Sequence, residues 1–232
     1  MHEDKQYYPD AENVYGPGVQ ALVFEEDAQP LTTPIIQPHR EANFQIYDKV
    51  IPETHYSLEY LTAVSQNADL IRNVVVCGHL HHGKTLLCDM FYEQAHVRPK
   101  KYDMKKEYKY TDNRRDEVER QMSLKCSTLT VLLPDSRKKN FLFNFADTPG
   151  HPGFSDEVTV GMRLADGMLL VVDCVEGVTC YVERLIKEAL RANLRIITVL
   201  NKIDRLVLEL KLPPTDAYYK LKHTLDEINL VI

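Results

Sequence analysis

At 232 residues with 44% hydrophobic side chains, the chain is long enough to bury a core without staples, as one globular domain with an appendage. The five cysteines (Cys77, Cys88, Cys126, Cys174, Cys180) form neither a CxxC pair nor a Cys/His ligand spacing, which argues against a disulfide framework and fits a reduced intracellular compartment. Residues 1–10 hold no apolar signal-peptide segment and no run has the length of a membrane span, so a soluble protein with no membrane role is expected.

The net charge of −6 sits at one end, where residues 1–45 carry eight acids against Lys5 and Arg40. That composition reads either as a solvated tail or as an acidic arm that docks on a basic protein partner. From Pro30 to Pro52 the prolines are too dense for a regular helix or a central strand, which makes this stretch a linker or an extended arm. Across Glu53–Leu70 the spacing of Tyr56, Leu58, Tyr60, Leu61 and Val64 predicts a short helix leading into the folded part. The resulting division is an extended arm over residues 1–69 and a folded domain over 70–232.

Beyond residue 70, apolar runs of strand length alternate with segments of helical period, as in a sheet built of βαβ units. The predicted strands are Ile71–Cys77, Leu124–Leu133, Asn140–Ala146, Met168–Cys174 and Arg195–Leu200. Several are almost continuously apolar, as strands covered on both faces must be. A polar turn over residues 134–140 joins the second and third, which makes one sheet edge antiparallel. Helical spacing recurs at Val178, Val182, Leu185, Ile186 and Ala189, and again at Tyr218, Leu221, Leu225 and Ile228 after Pro213-Pro214.

Three motifs stand at predicted strand ends. Gly78-His79-Leu80-His81-His82-Gly83-Lys84-Thr85 follows the first strand and opens onto a helical pattern, which is the context a phosphate-binding loop requires. Gly78 and Gly83 let successive backbone N–H groups face phosphate oxygens, Lys84 adds a point charge, and Thr85 offers a hydroxyl to Mg²⁺. Asp147-Thr148-Pro149-Gly150 follows the third strand. Its carboxylate can hold Mg²⁺ through water, and the Gly150 N–H can approach a terminal phosphate. Asn201-Lys202-Ile203-Asp204 follows the fifth. Guanine presents two adjacent donors that one Asp204 carboxylate accepts together, and adenine lacks that pair, so GTP/GDP is the expected ligand and an ATP-using enzyme is disfavoured.

In this order the three motifs resemble the translational GTPase superfamily. The likeness is to the elongation-factor-2-like GTPases of the spliceosomal U5 small nuclear ribonucleoprotein, carried further by residues 208–220 and by the Tyr-Gly-Pro and Gln-Pro-Leu-Thr segments of the acidic arm. The resemblance implies a P-loop GTPase domain of three-layer α/β/α form with a mostly parallel sheet. It also implies a nuclear location, large spliceosomal protein partners and small nuclear RNA nearby. Carried over by motif, His151 stands where the family places the histidine that orients the attacking water, Lys84 offsets charge on the phosphoryl group, and Ser123 takes the place of the switch threonine on Mg²⁺.

Three departures bear on activity. Residues 120–124 read Arg-Gln-Met-Ser-Leu where the family commonly has Arg-Gly-Ile-Thr-Ile, so Gln121 is strained if its φ is positive. Pro152-Gly153 follows His151 in place of Val and then Asp or Asn. No further strand or Ser-Ala-x base loop is found after Asp204, so a domain incomplete on its C-terminal side is expected, whether as a fragment, a truncated product or a decayed copy. Two functions follow: a slow GTP-hydrolysing switch in pre-mRNA splicing, or a catalytically inactive interaction module. Residues 98–125 carry ten Lys/Arg against six acids, which reads as an RNA-phosphate patch or as a solvated, mobile switch loop.

Overall fold

The computed structural model describes residues 16–18, 53–97 and 110–232. The chain divides into Met1–Asn43 and Phe44–Ile232. Of the arm read over residues 1–69, positions 1–15 and 19–52 lie outside the described residues, as do positions 98–109 of the basic segment.

Within the second unit, α1 (Leu58–Ser65) forms where the sequence places a short helix, and its Ser57 side chain caps the first turn by accepting from the Tyr60 N–H. The strands are β1 (Ile71–Cys77), β2 (Ser127–Pro134), β3 (Asn140–Asp147), β4 (Gly167–Asp173) and β5 (Arg195–Asn201). They make one sheet in the order β2-β3-β1-β4-β5, parallel except for the β2–β3 hairpin, which pairs Ser127 with Asp147 and Pro134 with Asn140.

Sequence and structure differ at the start of β2. The apolar run from Leu124 reads as strand, yet the Leu124 and Lys125 N–H groups donate to the Glu117 carboxylate at 2.9 and 3.1 Å, and the Cys126 N–H donates to Glu157 at 3.2 Å. Amides bound to carboxylates are not available to a ladder, so pairing begins at Ser127.

The helices are α2 (Lys84–Ala95), α3 (Arg115–Arg120), α4 (Ser155–Leu164), α5 (Cys180–Arg191), α6 (Asp204–Leu208) and α7 (Pro214–Val231). Strand alternation divides the core between two faces. Val75, Cys77, Met168, Leu170 and Val172 point to one side and pack with Val158, Met162, Leu185, Ile186 and Ile228 from α4, α5 and α7. Val76, Val171 and Phe145 point to the other and meet Cys88, Tyr92 and Ala95 of α2. This is a three-layer α/β/α arrangement. A smaller cluster of Val64, Leu132 and Leu142 seats α1 against the hairpin. Among the described residues no helix is long and apolar enough to cross a membrane.

Candidate functional site

β1 lies between β3 and β4, so the chain leaves it at the point where the strand order reverses, and a crevice opens at the carboxyl ends of the strands. Residues 78–85 turn there from β1 into α2. Gly83, the residue before the helix, has φ +93, and a Cβ on it would collide with the Asn201 side-chain amide. That close approach has a purpose. Asn201 donates from Nδ2 to the His82 carbonyl at 2.9 Å and accepts the Lys202 N–H on Oδ1 at 2.9 Å, which fastens the end of β5 to the phosphate loop.

Lys84 is buried, and its Nζ donates to the His79 carbonyl at 3.0 Å, across the mouth of the loop. Burial lowers its pKa, and the nearby Asp147 carboxylate opposes the shift. Gly150 packs on the same amine. A Cβ there would also lie 2.8 Å from the His79 oxygen and 2.8 Å from the Leu80 nitrogen. The second motif is thus pressed against the first.

Thr85, Ser123 and Asp147 come together from three segments. Thr85 Oγ1 donates to Asp147 Oδ2 at 2.7 Å and lies 3.1 Å from Ser123 Oγ, which in turn donates to Asp112 Oδ1 at 3.4 Å. Asp147 Oδ1 is buried without a hydrogen-bond partner among the described residues. Burial pushes the Asp147 carboxyl up to about 6, against the Thr85 hydrogen bond and the Lys84 charge. An orphaned carboxylate oxygen beside two hydroxyls is an oxygen-only donor set, which suits a hard cation such as Mg²⁺. The cavity in front measures about 430 Å³ and is lined by Leu80, Lys84, Thr85, Ser123, Gly150 and Lys202 among others.

Two lining residues escaped the sequence reading. Asp112 is a lone acid in a stretch of mixed charge, and nothing in its spacing marks it. Asp89 sits in α2 and is buried. Its Oδ1 accepts from the Tyr110 N–H at 2.9 Å and the Thr111 N–H at 3.3 Å, which ties that segment to the helix.

Of the other predicted residues, His81 and Lys202 line the cavity and the rest lie further out. His81 is exposed with φ +59. His79 is half-buried and His82 fully buried, both on the flank of the loop away from the cavity lining. Asp204 is exposed as the first residue of α6. Lys202, with φ +56, places its Nζ 3.3 Å from the buried Asp173, which Arg205 also engages. Burial raises the Asp173 pKa, but hydrogen bonds from the Val175 N–H, Arg205 and Lys202 outweigh it and hold the carboxyl below its ordinary value. His151 is exposed and outside the cavity lining. Its Nδ1 accepts the Gly153 N–H at 3.0 Å and caps the 3₁₀ turn Pro152–Phe154. Among the described residues of the basic segment, Arg114 pairs with Asp116, and Arg115 pairs with Glu119 along α3.

Gln121 ends α3 in the left-handed region at φ +55. A side chain there costs roughly 1–2 kcal/mol, and glycine's extra chain freedom costs roughly 0.5–1. Gln121→Gly is therefore expected to stabilise the chain by up to about 1 kcal/mol, a melting-temperature rise of roughly 2–4 °C. An unchanged or lower melting temperature would show that the left-handed turn carries no strain.

Residues 69–231 match the family model of the elongation factor Tu GTP binding domain, and residues 1–52 match that of the 116 kDa U5 small nuclear ribonucleoprotein component N-terminus. Among curated proteins, the 110 kDa U5 small nuclear ribonucleoprotein component CLO of Arabidopsis thaliana is 50% identical over 99% of this chain. Pre-mRNA-splicing factor cwf10 of Schizosaccharomyces pombe is 46% identical over 99%, and pre-mRNA-splicing factor SNU114 of Saccharomyces cerevisiae 39% over 94%. The chain spans 23% of the length of each of these relatives. A crystal structure of a protein from Thermus thermophilus superposes with a TM-score of 0.54 over 67% of this chain and 22% of that one, at 23% identity, a likeness of fold.

Proposed function

The chain belongs to the elongation factor Tu GTP-binding domain family, and from that membership we propose that it is a guanine-nucleotide switch which binds GTP and GDP with Mg²⁺ and hydrolyses GTP slowly. The observation that carries this reading is the convergence of three strand-end motifs on one crevice, with the Asp147 Oδ1 atom buried and unpartnered beside Thr85 and Ser123. Thr85, Ser123 and Asp147 would hold the cation, which offsets negative charge on the phosphates. Lys84 trades the His79 carbonyl for a phosphate oxygen, and backbone N–H groups of residues 78–85 supply the remaining donors. Asn201 keeps residues 201–204 in register with the phosphate loop, and Asp204 reads the base.

The curated relatives carry splicing in their names, and residues 1–52 match a U5 component family. We place the chain in pre-mRNA splicing on that ground, in the nucleus and among large spliceosomal proteins and small nuclear RNA, with the acidic arm of residues 1–69 docking on a protein partner. A second reading has its own support. His151 is spent as a cap on its own turn, outside the cavity lining, which favours a nucleotide-bound interaction module with negligible turnover.

Titration of labelled GTP and ATP into the purified chain with Mg²⁺ tests the proposal. Saturable GTP binding that excess ATP does not displace is expected, with turnover on the order of 10⁻⁴–10⁻² per second. Absence of any nucleotide binding would overturn it. Turnover unchanged in His151→Ala would remove that histidine from the mechanism, and GTP binding with no detectable turnover would favour the second reading.

A further inference from the structure

On the flank of the phosphate loop, outside the nucleotide cavity, two of its histidines converge on one carboxylate of the loop that follows β4. We propose that His79, His82 and Glu176 form a binding site for a zinc-class divalent cation. Their ligand atoms, His79 Nδ1, His82 Nε2 and Glu176 Oε2, all lie within 4.8 Å of one another. Glu176 Oε2 is 3.0 Å from His82 Nε2 and 3.9 Å from His79 Nδ1.

The hydrogen-bond logic of His82 leads to a cation. Its Nδ1 lies 3.1 Å from the Val171 carbonyl, which can only accept, so Nδ1 carries the hydrogen. The side chain is fully buried, and burial lowers its pKa, although Glu176 and the Val171 carbonyl pull the other way. A neutral ring with hydrogen on Nδ1 has a lone pair on Nε2. That lone pair faces a carboxylate oxygen at hydrogen-bond distance, so two acceptors stand together and something positive belongs between them.

One proton would satisfy His82 and Glu176, but it would leave His79 unanswered. Among the described residues His79 Nδ1 is buried with no hydrogen-bond partner, and it lies 3.9 Å from the same carboxylate oxygen. A bound cation satisfies all three atoms at once, and buried polar atoms are rarely left orphaned.

The donor set selects the class of metal. Two imidazoles and a carboxylate suit Zn²⁺ and its neighbours in the first transition row, whereas Mg²⁺ prefers oxygen alone and belongs with Thr85 and Asp147. Metal-bound histidines characteristically donate their other ring N–H to a carbonyl, as His82 does to Val171. The His79 ring is held edge-on by Tyr181 at 5.9 Å between centroids. With ligand bonds of about 2.0–2.2 Å, no two ligand atoms can stay more than about 4.4 Å apart, so the cluster must contract slightly. The Glu176 side chain, 41% exposed, has the freedom to do this and leaves a path for entry and a water in the fourth position. Such a site would clamp the phosphate loop to the end of β4 from behind.

The test needs no nucleotide, so its outcome is separate from that of the GTP proposal. Zn²⁺ is titrated into the full chain against a competing chromophoric chelator, with Mg²⁺ in excess. One Zn²⁺ per chain is expected, with Glu176→Gln weakening it by at least about 10-fold, since losing a ligand costs no less than losing an outer-shell partner. Glutamine keeps the shape and donates an N–H to His82 Nε2, and a retained melting transition confirms that the variant folds. His223→Ala controls for the exposed His223–Glu227 pair and is expected to leave the affinity unchanged. Cobalt in place of zinc is expected to show a spectrum without sulfur-to-metal charge-transfer bands. The proposal is overturned by no stoichiometric uptake, which would mean that a shared proton alone fills the gap. Equal affinity in Glu176→Gln, or thiolate bands in the cobalt spectrum, would overturn it as well.

Discussion

Lys84→Ala is expected to weaken GTP binding by roughly 100-fold or more while leaving the chain folded, on the scale of a charged hydrogen bond lost from a buried site. The amine is buried, spans the mouth of the loop to the His79 carbonyl, and packs against Gly150. In the nucleotide-free chain it serves as a desolvated charge with one hydrogen bond to a carbonyl, so removing it relieves a desolvation cost as well as losing a bond. Asp147 is the residue that suffers, because its carboxyl loses a neighbouring positive charge. It adapts by holding its proton to higher pH, which limits the damage to the fold. The bound state has no such adaptation, since phosphate oxygens in the crevice would lose the buried cationic side chain that Lys84 provides. Fluorescence titration of GTP gives the affinity and circular dichroism the fold. Full GTP affinity in a folded Lys84→Ala chain would mean that this crevice is not the phosphate site.

The parts of this molecule that sequence made legible are those whose physics is local. The second half of β1 and most of β4 show as apolar runs because both faces of a central parallel strand are covered, and Val75, Val76, Leu170, Val171 and Val172 are fully buried; β5 is apolar too, although it forms the sheet edge and leaves Ile197 63% exposed. The phosphate loop, residues 147–150 and residues 201–204 stand out because each encodes a backbone path at a strand end. The start of β2 was not legible, since its amides are claimed by Glu117 and Glu157, and only the folded chain brings Glu157 near Cys126. Asp89 and Asp112 were missed for the same reason. So was the third member of the histidine cluster, because Glu176 lies 94 residues from His82 along the chain. Gln121 is an intermediate case: comparison with the family pattern raised the question of a positive φ, and the backbone angle of +55 answers it.

Asp89 also makes stability depend on pH in a direction that one variant isolates. The residue is 3% exposed, and burial raises the pKa of its carboxyl from 3.8 to about 7, against hydrogen bonds from Tyr110 and Thr111. In the unfolded chain the same carboxyl loses its proton near its ordinary value. Between pH about 4 and about 7 the native state therefore holds more protons, and this group's contribution to stability falls as pH rises through that window, then levels off. The full fall is about 4 kcal/mol at most. Asp89→Asn cannot ionise, and its Oδ1 still accepts the Tyr110 and Thr111 N–H groups. The stability of the variant minus that of the parent is thus expected to climb from pH about 4 to about 7 by up to about 4 kcal/mol and to plateau above it. Asp147, whose pKa is also raised, and His82 and His96, whose pKa values burial lowers, titrate in both chains and largely cancel in the difference. Urea unfolding across this pH range measures the difference directly. A difference that stays flat with pH would mean that Asp89 ionises in the folded chain as readily as in the unfolded one. The Tyr110–Thr111 segment would then be held to α2 by an ionised carboxylate over most of that range.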